Sequence, residues 1–302
     1  MQIVYISNRP STLANTIKHI ELLMGFIDEA IVCVPDRMRD SFTNLSSSLA
    51  VKIVAESEIL NQKNVRKLKS LDHQRRNYLL RSKLIQQDYI ADEFIMSDDD
   101  SRPMIDIPLS VFCSTGRHHS YFFYDLKSWN NNQTDFDSGQ ITSFAVLQAE
   151  GFSHLSYASH MPQIINKKLF NQACSFFKTY SDSLPLCEWS SYFNYALKVN
   201  PRKFHETQAY KTLCWPEHPL AWKQEITPDA YLFENFTPNL YSKSKPFEGL
   251  NRLSNNKASA KRTSIEKVIL WRKFTINLSH PEQSKGLLKY FHPRTWTNKL
   301  RR

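Results

Sequence analysis

The chain has 302 residues, 41% of them hydrophobic and 13% aromatic, which suits one large domain or a domain with an appendage and excludes disorder throughout. Its formal charge of +10 is unevenly placed: residues 242–302 hold 15 Lys and Arg against 3 Asp and Glu, while residues 1–241 hold 24 against 26, so a near-neutral body carries a basic tail. The five cysteines are scattered and lack a C-x-x-C pair, which argues against a disulfide framework and a zinc site, and no run of about 18 apolar residues offers a membrane span.

Residues 2–6 are a short β-branched run and read as a strand rather than a signal peptide, so a cytoplasmic protein is expected. Ser7, Asn8 and Arg9 follow as a polar loop ending at Pro10, and Ser11 or Thr12 is placed to cap a helix to about Met24. Residues 30–34 form a continuous apolar run closed by Pro35, as in a strand buried on both faces. A helix over 38–49 and a strand over 51–54 complete a β-α-β-α-β order, which predicts a mostly parallel, doubly wound sheet.

One long polar helix is expected over 65–88, carrying Arg76 and Arg81 toward an apolar run at 94–96. That run ends in Asp98, Asp99 and Asp100 and is stopped by Pro103. Three adjacent carboxylates repel one another, so a cation or a strong donor set is needed to hold them. At the carboxyl end of a strand they occupy the position where open α/β sheets bind ligands. A divalent-metal site for a diphosphate is the functional reading; an acidic turn capping a strand is the bland one.

Beyond Pro103 a strand is expected at 109–112, a mobile loop within the aperiodic stretch 116–140, and helix or strand at 141–147. A strand-like run at 154–158 ends in Ser159-His160-Met161-Pro162, and helices follow over 167–180 and 188–197. From Ser242 onward a polar linker leads into a basic amphipathic segment at 265–278. Such a segment either lies on an anionic bilayer, where each basic group contributes about 1 kcal/mol, or packs on the body or a partner.

With its nucleotide-domain-like start and D-x-D turn, the sequence resembles the metal-dependent GT-A-fold glycosyltransferases, and more narrowly those of bacterial envelope polysaccharide and lipooligosaccharide clusters. The matching stretches are Asp98 to Asp100, Ser159-His160-Met161-Pro162, and Cys187-Glu188-Trp189-Ser190-Ser191-Tyr192-Phe193-Asn194-Tyr195, with Cys187 in place of Ser and Trp189 in place of Tyr. A fainter likeness is to Stealth-type sugar-phosphate transferases. The likeness covers residues 1–241, a donor half to about 110 and an acceptor half beyond; the tail, 242–302, lies outside it.

The resemblance implies a GT-A-like, Rossmann-like sheet flanked by helices. It also implies a nucleotide-sugar donor, UDP-linked, held with Mn²⁺ or Mg²⁺, and a glycan or lipid-linked acceptor. Donor contacts then fall to Ser7, Asn8, Arg9, Glu58, Arg76, Arg81, Asp98 and Asp99. Metal ligands fall to Asp98 and Asp100, with His218 as a late third ligand in competition with His205. Glu188 is the expected general base, unless it is only the N-terminal charge of its helix, and His160 is the second catalytic candidate. Tyr192 and Asn194 are expected at the acceptor, with Tyr192 in the core as the alternative. The expected location is the inner face of the bacterial inner membrane. Competing functions are sugar-1-phosphate transfer, a non-catalytic assembly role, and nucleic-acid binding by the tail. The near-neutral body and the absence of an RNP, KH or zinc pattern weigh against the last of these.

Overall fold

The computed structural model describes residues 1–43, 45, 48–213, 229–251 and 256–279, with side chains to 274. Strands β1 (Gln2–Ile6), β2 (Glu29–Val34), β3 (Ala50–Ala55) and β4 (Glu93–Met96) run parallel. They join in the order β3-β2-β1-β4, and a late strand, Gln163–Asn166, closes the β4 edge antiparallel. Helix α1 (Pro10–Leu23) connects β1 to β2 and starts with proline at its first position, where the missing N–H costs nothing.

Side chains alternate across each strand, and the two faces fill two cores. Val4, Ile31, Cys33, Phe94 and Met96 face one; Ile3, Tyr5, Ala30, Val32, Val34 and Ile95 face the other, which α1 covers with Leu13, Ile17 and Ile20. A parallel sheet covered on both faces needs strands apolar on both sides, and the near-continuous run of β2 meets that need.

Several expected elements differ. The helix expected over 38–49 is a 3₁₀ helix, Asp36–Phe42, because Pro35 starts it abruptly and the serines beyond it are poor helix formers. After a short α2 (Glu56–Ile59), two helices, α3 (Gln62–Leu68) and α4 (His73–Leu84), stand in place of the one expected over 65–88. Asn61 and Asp72 are the reason for the division: each carboxamide or carboxylate caps a new N-terminus, accepting from Asn64 N and Arg75 N. Residues 109–111 are a 3₁₀ turn after Pro108 rather than a strand.

Short strands and the start of a helix occupy much of 116–140, on either side of an irregular stretch at 129–134. Off the acidic turn comes β5 (Ser101–Pro103), then the two-residue strands β6 (Cys113–Ser114), β7 (Arg117–His118), β8 (Tyr121–Phe122) and β9 (Tyr124–Asp125). Helix α5 (Asp135–Ala149) begins at a capping box in which Thr134 and Asp137 satisfy each other's backbone N–H. Gly139 lets α5 approach α4, since a Cβ there would lie 2.7 Å from Gln74.

Strand β10 (Leu155–Ser156) pairs with β9, and β11 is the antiparallel edge strand, Gln163–Asn166. The helix expected over 167–180 breaks at Phe177 into α6 (Lys167–Phe176) and α7 (Lys178–Ser181); α8 (Glu188–Val199) follows. Strands β12 (Gln208–Ala209), β13 (Thr212–Leu213) and β14 (Phe233–Asn235) complete the body, and β13-β14-β5 form a small sheet. In the tail, α9 (Lys257–Ser279) turns Ala260, Ser264, Lys267 and Trp271 inward, and Trp271 packs with Met104, Leu213, Leu240 and Phe247. Among the described residues no helix is long and apolar enough to cross a membrane.

Candidate functional site

The sheet order creates a crevice. From β1 the chain moves to β2 on one side, whereas β4 lies on the other, so the carboxyl ends of β1 and β4 diverge at a topological switch point. Ser7, Asn8 and Arg9 leave β1 there, and Asp98, Asp99 and Asp100 leave β4 there. Both groups line a cavity of about 470 Å³. Its other walls come from the end of β2 (Pro35), from Glu56, from α4 (His73, Gln74, Arg76, Asn77, Arg81), and from Phe136, Ala158, His160, Cys187, Glu188 and Trp189.

The three aspartates are held differently. Asp99 is buried; its carboxylate accepts from Ser7 Oγ at 2.6 Å and from Arg9 Nε at 3.1 Å, and pairs with Arg9 Nη2 as well. Its carbonyl accepts from Thr16 Oγ1 on α1 at 2.7 Å. Asp100 Oδ2 takes Arg9 Nη2 at 2.7 Å, while Asp100 Oδ1 is buried without a hydrogen-bond partner among the described residues. Asp98, the most exposed of the three, meets Arg81 Nη2 at 2.7 Å. Arg81 is itself buried, with Nε 2.9 Å from Glu188 Oε1 and its guanidinium 4.9 Å from the Trp189 ring, so it bridges the acidic turn to α8. Arg76 pairs with Glu56.

Among the described residues, Glu56, Asp98, Asp99, Asp100 and Glu188 set five carboxylates against the guanidinium groups of Arg9, Arg76 and Arg81, a formal excess of two negative charges along one cavity. Burial pushes the Glu188 carboxyl above the usual range against the pull of Arg81. Burial likewise lifts Asp99, although Arg9 and Ser7 oppose it. Burial would lower Arg9, but the hydrogen bond to Asp99 and the charges of Asp100 and Asp99 outweigh it and hold the guanidinium ionised.

Of the residues expected at the site, Ser7, Asn8, Arg9, Arg76, Arg81, Asp98, Asp99, Asp100, His160 and Glu188 all line the cavity. His160 sits at φ +46°, in the left-handed region, and its carbonyl accepts from Ser101 Oγ and Thr212 Oγ1, each at 3.0 Å. Three assignments are corrected. Glu58 is turned away, accepting from Ala55 N at 2.9 Å and Arg39 Nη1 at 2.6 Å; Glu56, two residues earlier, takes the place on the wall. Tyr192 is buried, its hydroxyl accepting from Asn166 N at 2.9 Å. Asn194 is buried, bonding Ser153 and the backbone of Leu155 and Ser190. Both serve packing, not a ligand surface. His205 does not line the cavity and stacks on His119 at 4.5 Å between ring centroids, and His218 lies outside the described residues.

Sequence reasoning missed His73, Gln74, Asn77, Phe136 and Trp189 as wall residues. A signal existed for the first three: with the cap at Asp72, α4 starts at the cavity and its first turn must face it.

Among the described residues no three His, Cys, Asp or Glu side chains converge as a ready metal cage. The turn nevertheless fits a hard cation shared with phosphate oxygens, which needs only one or two carboxylates, and the orphaned Asp100 Oδ1 supplies an unspent lone-pair donor.

No family model and no curated protein sequence matches the chain. Among solved structures it is similar to the galactosyltransferase LgtC in complex with donor and acceptor sugar analogues, at 13% identity over 91% of this chain and 100% of that one, with a TM-score of 0.42. An active-site mutant of LgtC aligns at 13% identity over 89% and 96%, with a TM-score of 0.41. Mouse xyloside xylosyltransferase 1, in its apo form, aligns at 8% identity over 79% and 99%, with a TM-score of 0.43.

Proposed function

We propose that the chain is a metal-dependent glycosyltransferase that moves a sugar from a nucleotide-sugar donor, UDP-linked, to a glycan or lipid-linked acceptor of a bacterial surface polysaccharide. The observation that carries this reading is the acidic turn at the switch point, where, among the described residues, the cavity holds two more carboxylates than guanidinium groups and Asp100 Oδ1 has no partner. Such a wall repels a bare diphosphate and accepts one accompanied by a divalent cation. Asp98 and Asp100 would hold that cation, Mn²⁺ or Mg²⁺, which when bound supplies Lewis-acid stabilisation of the departing diphosphate. Ser7 and Arg9 fix Asp99, and through it the backbone of the turn, before any ligand arrives.

Glu188 is the proton acceptor for the incoming hydroxyl. It lies on the α8 wall, across Arg81 from Asp98, so one guanidinium sets the spacing between the donor-side turn and the base. The outer face of α9, with exposed Ile265 and Ile269 beside Lys261 and Arg262, supports contact with an anionic membrane at the cytoplasmic side.

A thermal-shift series with nucleotide sugars, with and without Mn²⁺, tests the reading. The matching donor at 100 times its Kd should add about 2.7 kcal/mol of stability, and only with the metal present. No shift with any nucleotide sugar would overturn the donor site; a shift indifferent to Mn²⁺ would overturn the metal.

The base has its own test in the pH dependence of kcat/KM. Glu188 must be ionised to accept a proton, so activity is lost as pH falls through its raised pKa. Arg81→Gln removes the neighbouring positive charge that lowers this pKa, so the acid limb should move to higher pH. An acid limb that stays in place would remove Glu188 from the role.

A further inference from the structure

The basic C-terminal helix reaches the acidic turn through a buried chain of contacts. Arg102, two residues beyond Asp100 on β5, is fully buried. Its Nε donates to Glu234 Oε1 at 2.8 Å and its Nη2 to Tyr241 Oη at 2.6 Å, while Nη1 reaches Asn15 on α1. Lys267 of α9, 5% exposed, donates to the same Glu234 Oε1 at 2.8 Å.

Glu234 lies opposite Arg102 in the β5–β14 ladder. One step on, Asn235 faces Ser101, and then Phe236 N donates to the carbonyl of Asp100 at 2.7 Å. From the other side Thr16, next to Asn15, holds the carbonyl of Asp99. Two successive carbonyls of the turn are thus fixed from β14 and from α1, and both supports converge on Arg102 and Glu234.

Arg102 alone neutralises Glu234. A second cation on the same carboxylate must be desolvated without a charge of its own to neutralise, in a helix whose other buried positions, among the described residues, are Ala260, Ser264 and Trp271. Packing of α9 does not require a lysine there. We propose that Lys267 is a positioning residue for the Asp98–Asp100 turn, so that docking of the C-terminal helix sets the order of the donor site. The proposal rests on the turn being that site.

The test uses the full chain, as wild type, Lys267→Met, Lys267→Gln and Lys267→Arg, below the melting temperature of each. Hydrogen–deuterium exchange is followed in residues 97–103 and 233–236, with β1 and β2 as internal reference, and Mn²⁺ affinity is measured in the presence of UDP. Lys267→Met and Lys267→Gln should speed exchange in the turn but not in the reference strands, and weaken Mn²⁺ binding about tenfold; Lys267→Arg should restore both.

Unchanged exchange in the turn of either neutral variant would overturn the proposal, as would equal acceleration in β1 and β2, which marks a merely structural role. A wild-type chain that ignores Mn²⁺ while the neutral variants still loosen the turn would overturn the metal reading and sustain the positioning role.

Discussion

On the proposed reading, Asp98→Asn and Asp100→Asn are each expected to lower metal-dependent transfer by at least about 10²-fold, because each would remove a charged oxygen ligand whose Lewis-acid partner would be worth several kcal/mol at the departing diphosphate. Neither should unfold the protein. Asp98 has a side chain 32% exposed and, among the described residues, pairs with Arg81 alone, and Asp100 shares Arg9 with Asp99. Stability in urea should change by about 1 kcal/mol or less, the range of partly exposed ion pairs. Asp99→Asn supplies the contrast. That carboxylate is buried and accepts from Ser7 and Arg9, so its loss should appear in stability, by about 1–3 kcal/mol, as well as in activity. Full metal-dependent transfer by both Asp98→Asn and Asp100→Asn would sink the assignment, whatever Asp99→Asn does.

Glu234→Ala should destabilise the fold by about 3–5 kcal/mol, the loss expected when one partner of a buried ion pair is removed and the others stay charged. Arg102 and Lys267 would be left facing each other in the interior, with Tyr241 deprived of its acceptor. The same carboxylate predicts the acid limb of stability. Burial alone would raise the Glu234 pKa, but the Arg102 and Lys267 charges outweigh it and hold it far below the ordinary glutamate range. Lys267 moves down, since burial and the Arg102 charge outweigh what Glu234 returns; two cations share one anion, and the ammonium is the one less firmly held.

A depressed carboxyl contributes stability that is complete above its unfolded pKa, about 4.3, and is lost progressively as pH falls below it. Urea midpoints from pH 7 to 3 should therefore fall steeply below about pH 5 in the wild type. They should fall less steeply in Glu234→Ala. Parallel curves would show that Glu234 does not carry the linkage.

The acidic turn could be read from the sequence because its cause is local: a short apolar run that stops in three carboxylates has few uses. The β1-α1-β2 order was likewise written in alternating and continuous apolar runs. What sequence order could not provide was phase and distance. Glu56 and Glu58 differ by two residues at a strand-to-helix junction, and only the fold decides which carboxylate faces the cavity. Helix α8 is buried all round from Glu188 to Asn194, so no polar face separates the glutamate at its start from Tyr192 and Asn194, which are core. The Arg102–Glu234–Lys267 cluster joins residues 132 and 33 positions apart, and the single buried lysine of a basic helix looks in sequence like its exposed neighbours.

Arg9 pairs with both Asp99 and Asp100. On the proposed reading, a cation taken up by the unpaired Oδ1 of Asp100 competes with the Arg9 guanidinium on Oδ2 of the same carboxylate, and an Arg9 released from Asp100 is free for the phosphates that arrive with it. Ion and nucleotide then each remove part of the other's cost, so their affinities must rise together by one common factor. Resting levels of either ligand alone would leave the enzyme nearly empty, and the chain would behave as a coincidence detector for the loaded donor.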